Sequence, residues 1–121
     1  MTPDELATVL RQNAGNNPAR SAAVELLVWH DYWIRRMAFY PEKHYVDRHG
    51  DVDWVELAQA VVRDEFHAST SELKILSIAC SLVGTLAVDL RDCVTGLGPA
   101  TLGRVLTAVA QAAGRPEVFS A

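Results

Sequence analysis

The residues that could bind a metal or move a proton fall mostly in the middle of the chain: His30-Asp31, His44, Asp47, His49, Asp51, Asp53 and the pair Glu65-x-His67. Metal ligation needs donors spaced so that they close on one ion, as when two histidines stand four apart on a helix with a glutamate between them. None of these residues has that spacing, and His44 and His49 lie in a stretch with no regular period. No metal and no cofactor is therefore expected. His30 falls on an apolar helical stripe and reads as a core histidine hydrogen-bonded to a neighbour.

Ser69-Thr70-Ser71 beside His67 and Asp64 holds the residue types of nucleophilic catalysis. A triad needs the base within hydrogen-bond reach of the hydroxyl and separate donors for the oxyanion, which adjacent positions on a chain corner do not supply. Ser69 with Glu72 three residues on is also a capping box, and that role already accounts for both. Gly96-Leu97-Gly98-Pro99 has the wrong length for a phosphate loop and lacks its lysine; a helix stop followed by a helix start explains it. No catalytic residue is assigned.

The densest unusual feature is 29–40, Trp-His-Asp-Tyr-Trp-Ile-Arg-Arg-Met-Ala-Phe-Tyr, in which six of twelve residues are aromatic if His is counted. Trp29, Tyr32, Trp33 and Arg36 recur at i, i+3, i+4 and i+7, while Phe39 and Tyr40 point to other sides. Aromatics and arginine build binding hot spots, so Trp29, Tyr32, Trp33, Arg36, Tyr40 and His44 are the expected partner-binding residues. The plain alternative is that the following loop and helix cover them as ordinary core.

Charge narrows the class of partner. Lys and Arg number 11 against 15 Asp and Glu, a formal −4. Residues 1–40 hold four acids and four bases, 41–71 seven against three, and 72–121 four against four, so the whole excess lies in the middle third. A non-specific nucleic-acid binder needs a basic surface, and neither this balance nor Arg35, Arg36 and Arg48 provides one. The start, Met1-Thr2-Pro3-Asp4-Glu5, has neither the basic nor the apolar region of a signal peptide. The longest apolar run, 73–90, is interrupted by Lys74, Gly84 and Asp89, so no membrane span is expected. Cys80 and Cys93 sit in apolar segments as two buried thiols, and the expected location is cytoplasmic.

The elements that would position these residues are all helical. Thr2-Pro3-Asp4-Glu5 starts a helix over 3–14 with Leu6, Val9 and Leu10 inward, and Gly15 stops it. Asn17-Pro18 starts another, and nothing before Pro41 breaks it, so one helix is expected over 18–40 with Ala23, Leu26, Leu27, His30, Trp33, Ile34 and Met37 inward and Asp31, Arg35 and Arg36 outward. Residues 41–50 read as a surface loop. Asp53 caps a helix over 53–66. The next, 70–83, is apolar around most of its circumference and so must be enclosed by neighbours. A short helix follows near 89–96, with Leu90, Cys93, Val94 and Leu97 inward. A last one, 99–113, is lined by Leu102, Val105, Leu106, Val109 and Ala113, and a tail at 115–121 frays. The fold class is all-α, a compact bundle of four to six helices around the helix at 70–83, in one domain of 121 residues.

Ser71-Glu72-Leu73-x-Ile75-Leu76-x-Ile78-Ala79-x-Ser81-Leu82, then Val88-Asp89-Leu90-Arg91-Asp92 and Thr95-Gly96-Leu97 before a Leu/Val/Ala-rich helix, resembles small uncharacterised proteins of actinobacteria and their phages. The resemblance implies a bacterial cytosolic origin and carries no activity across. The sequence thus points to a small non-enzymatic protein–protein interaction module whose partner is another protein or a second copy of itself, a homodimer formed through the aromatic helix face. The competing expectation is a small enzyme or metal-binding protein that uses the loop histidines and carboxylates.

Overall fold

The computed structural model describes residues 1–39, 45, 46, 49 and 51–119, so the 41–50 loop, Tyr40 and His44 lie almost wholly outside the described residues. These residues form an all-α bundle of seven α-helices, and among them no strand appears beyond an isolated antiparallel bridge between Val46 and Val52.

Helix α1 (Pro3–Ala14) begins as its sequence requires: the Thr2 hydroxyl accepts the Glu5 N–H at 3.1 Å and the Glu5 carboxylate accepts the Thr2 N–H. Gly15, at φ +56°, ends it in a conformation that costs a side-chain-bearing residue more. Helix α2 (Pro18–His30) is capped by Asn17, whose side chain accepts the Arg20 N–H at 3.0 Å.

The expected 18–40 helix is two helices. Asp31 adopts φ +75°, ψ −35°, and α3 (Tyr32–Phe39) leaves in a new direction. The Asp31 N–H still closes the last turn of α2 on Leu27, while its carbonyl accepts the Arg35 N–H and its carboxylate pairs with Arg35, so one residue ends one helix and opens the next. No glycine or proline announces this turn. Its gain is tertiary: α3 is freed to pack on α1 and α5 as well as on α2, and Trp33 reaches the first turn of α5.

Helix α4 (Trp54–Val62), capped by Asp53, ends four residues before the expected Phe66. Asp64 at φ +54° turns the chain, Glu65 N–H bonds back to Ala60 O, and Arg63 is held by Glu56 at 2.8 Å and Glu65 at 3.0 Å. Phe66 keeps the helical period in sequence but is buried from outside the helix, against Trp33 and Tyr45.

Helix α5 (Thr70–Leu82) has both hydrogen bonds of the Ser69–Glu72 capping box and buries Ile75, Leu76, Ile78, Ala79 and Cys80. It packs on α2, α3, α4, α6 (Leu90–Val94) and α7 (Pro99–Ala112), which makes it the enclosed helix its composition demands. It shares the centre with α2, which packs on α1, α3, α5 and α7 and buries the run Ala22, Ala23, Val24, Leu26, Leu27. Lys74 of α5 donates to Thr95 O at 2.7 Å and so ties down the end of α6.

The two late helices depart from expectation in their facing. In α6 Cys93 is buried but Leu90 is exposed. In α7 the buried positions are Val105, Ala108 and Ala110, whereas Leu106 and Val109 are 42% and 44% exposed. At 100° per residue the direction of Leu106 and Val109 lies about 100° around the helix from that of Val105 and Ala108. The apolar stripe of α7 is therefore wider than the surface that α2 and α5 cover. A 3-10 helix, Pro116–Phe119, then packs back on α7.

Candidate functional site

The turn at Asp31 divides the aromatic segment into two environments. On α3, Trp33 is 1% exposed and its indole Nε1–H donates to Glu72 O at 2.8 Å, an acceptor in the first turn of α5. Tyr32, half-buried, meets it edge to face at 5.0 Å, and Phe66 meets it at 5.0 Å and 71°. Tyr45 lies 5.5 Å from Phe66. Arg36 was expected on the outside; instead its guanidinium sits 5.4 Å from the ring centres of both Trp33 and Phe66, and it donates to His67 O at 3.0 Å and Tyr32 OH at 3.3 Å. Held over two rings and hydrogen-bonded to a backbone carbonyl, it closes the aromatic cluster.

Trp29, on α2, stands apart from this cluster. It is 37% exposed, and the Arg104 guanidinium of α7 lies 5.6 Å over its ring. At the other end of the same helix pair Gln111 donates to Ser21 Oγ at 3.1 Å, so α2 and α7 run antiparallel and Trp29 borders the N-terminal half of α7. Of the six expected partner-binding residues, Tyr32, Trp33 and Arg36 are thus assembled into one partly buried group, Trp29 lies beside α7, and Tyr40 and His44 lie outside the described residues.

What the sequence reading missed is the open side of α7, where Leu106 and Val109 point about 170° around the helix from Arg104, the neighbour of Trp29. Gly103, Leu106, Thr107, Val109 and Ala113 are all exposed, and Arg104 is the lone ionisable residue in the fourteen of this helix. The signal was present as charge: a helix with one face in water ordinarily carries several charged residues there. The comparison with α4 makes the point. Val55 and Val62 are also exposed on α4, yet they share its surface with Gln59 and the Arg63–Glu56 ion pair.

Among the described residues the chemistry-bearing side chains do not assemble. Among the described residues no group of three or more His, Cys, Asp or Glu side chains could hold a metal ion. Ser69 and Glu72 are used by the cap, and the His67 carbonyl accepts from Arg36. His30 is half-buried with its Nδ1 sealed from solvent and without a partner, so it is not the hydrogen-bonded core histidine expected. Gly96, at φ +85°, stops α6 and Gly98 precedes Pro99 at the start of α7, the structural role read for that motif. Burial pushes the Cys80 thiol up to about 12, and it raises Cys93 as well, so neither is a thiolate nucleophile at neutral pH.

Comparison of the chain with protein-family models, with curated proteins and with solved structures finds no match in any of the three. Among the described residues no helix is long and apolar enough to cross a membrane.

Proposed function

We propose that this chain is a non-enzymatic protein–protein interaction module of the bacterial or phage-infected cytoplasm, and that it associates with a second copy of itself through the open face of α7. The observation that carries this reading is the exposure of Leu106 and Val109 on a helix surface with no acidic residue and one arginine. Apolar surface of this kind loses contact with water when a like surface covers it, and one helix face meeting its own copy forms a two-fold contact. The aromatic cluster around Arg36 is built on α3, which packs on α1, α2 and α5, and forms no part of this surface.

Light scattering tests this directly. The wild type should show twice the 13.3 kDa chain mass, and the double variant Leu106→Glu/Val109→Glu should run as a monomer with an unchanged helical circular dichroism spectrum. Introduced carboxylates on both copies would repel one another and stay hydrated only if the contact opens. A wild type that remains monomeric up to about 100 μM, a concentration at which even a weak specific dimer is populated, overturns self-association.

A further inference from the structure

Between the first turn of α2, the start of α4 and the end of α5 the surface is hollowed into two adjoining lobes that share Arg20, Asp51, Val52 and Trp54 as walls. The smaller, of about 190 Å³, is completed by Leu10, Asn13, Ala14 and Val24; the larger, of about 450 Å³, by Asp53, Val55, Val83 and Thr85. The larger lobe falls in the size range of small-molecule sites.

Two donors on these walls are uncommitted. Arg11, Arg35 and Arg63 are each held by a carboxylate, but the Arg20 guanidinium makes no ion pair or hydrogen bond among the described residues. Trp54 is 8% exposed, and its indole N–H makes no hydrogen bond among them either. That N–H is not sealed off, because His30 Nδ1 is the one side-chain polar atom among the described residues that is both buried and unpartnered. Trp54 lines both lobes of the hollow.

The acids on the same walls decide the class of ligand. Asp51 has a partner of its own, which leaves Asp53 opposite in charge to Arg20: a simple anion would leave Asp53 unmatched, and a simple cation would leave the guanidinium and the indole N–H unused. A zwitterion satisfies both. We propose that this cleft binds a free aliphatic α-amino acid: its carboxylate on Arg20 and the Trp54 indole N–H, its ammonium beside Asp53, and its side chain against Leu10, Ala14 and Val24.

The full-length chain, labelled with nitrogen-15, would be titrated with L-leucine while its three indole signals are followed. The Trp54 signal should shift, and that of Trp33, whose N–H is fixed on Glu72 O, should not. Arg20→Gln should weaken binding by about tenfold or more without changing the circular dichroism spectrum, and 4-methylpentanoate and isoamylamine, each lacking one charge, should bind about tenfold or more weaker than leucine. An unmoved Trp54 signal with leucine, isoleucine, valine and methionine at about 10 mM overturns the proposal, because it excludes even millimolar affinity. So does equal binding by Arg20→Gln, or by the carboxylate without the amine.

Discussion

Trp29 and Trp33 differ by one turn of sequence and by almost everything else. Trp33 is enclosed by Tyr32, Phe66 and the Arg36 guanidinium, and its N–H has a fixed acceptor on α5. Trp29 has one cation over its face and water against much of the rest. A continuous helix would have put both near one stripe, four residues apart. The difference teaches that residue type did not decide which tryptophan became core and which became surface; the backbone turn at Asp31 did. The contrast extends outward: Tyr32, Trp33 and Phe66 close on one another under Arg36, whereas Phe39 at the end of α3 and Leu106 and Val109 of α7 are left open.

The largest effect should come from the buried side of this contrast. Trp33→Ala removes a fully enclosed ring and leaves Glu72 O without its donor, and it should cost about 3–5 kcal/mol in urea unfolding. Trp29→Ala should cost about 1 kcal/mol or less. If the two variants lost equal stability, the division of the segment into core and surface would be wrong.

Arg36 tests the same boundary at a smaller scale. Arg36→Lys retains the charge but cannot lie flat over Trp33 and Phe66 while also donating to His67 O and Tyr32 OH. A loss of about 1–2 kcal/mol is expected, with the monomer–dimer equilibrium unchanged. A variant that folded as stably as wild type but dissociated would move Arg36 from the inside of the contrast to the interface.

The fold was legible wherever local chemistry and tertiary need agreed. Thr2–Glu5, Asn17, Asp53, Ser69–Glu72 and Asp89 each cap the helix their residue types announced, and the all-round apolar α5 is enclosed. The misses have two causes. Asp31 and Asp64 enter positive φ without glycine, so the ends of α2 and α4 were invisible to a reading that waits for Gly or Pro. In α7 the expected stripe is buried at Val105 but exposed at Leu106, Val109 and Ala113, because how much of an apolar stripe is covered depends on how many neighbours the bundle supplies, and periodicity carries no information on that. The candidate surface was therefore not legible: Leu106 and Val109 stand out only through their exposure.

The smallest effect bears on the turn that creates the contrast. At φ +75°, ψ −35°, Asp31 holds a conformation that a Cβ makes costly and that glycine adopts readily. Asp31→Gly should therefore be more stable than Asp31→Ala by about 1–2 kcal/mol in urea unfolding, both variants having lost the Arg35 ion pair equally. Within a helix interior the order reverses, alanine being favoured by about 1 kcal/mol. The sign of the difference thus reports the backbone itself. Should alanine prove the more stable, residues 18–39 would form one helix, Trp29 and Trp33 would return to neighbouring positions on one stripe, and the separation of an inward aromatic cluster from an outward α7 face would lose its cause.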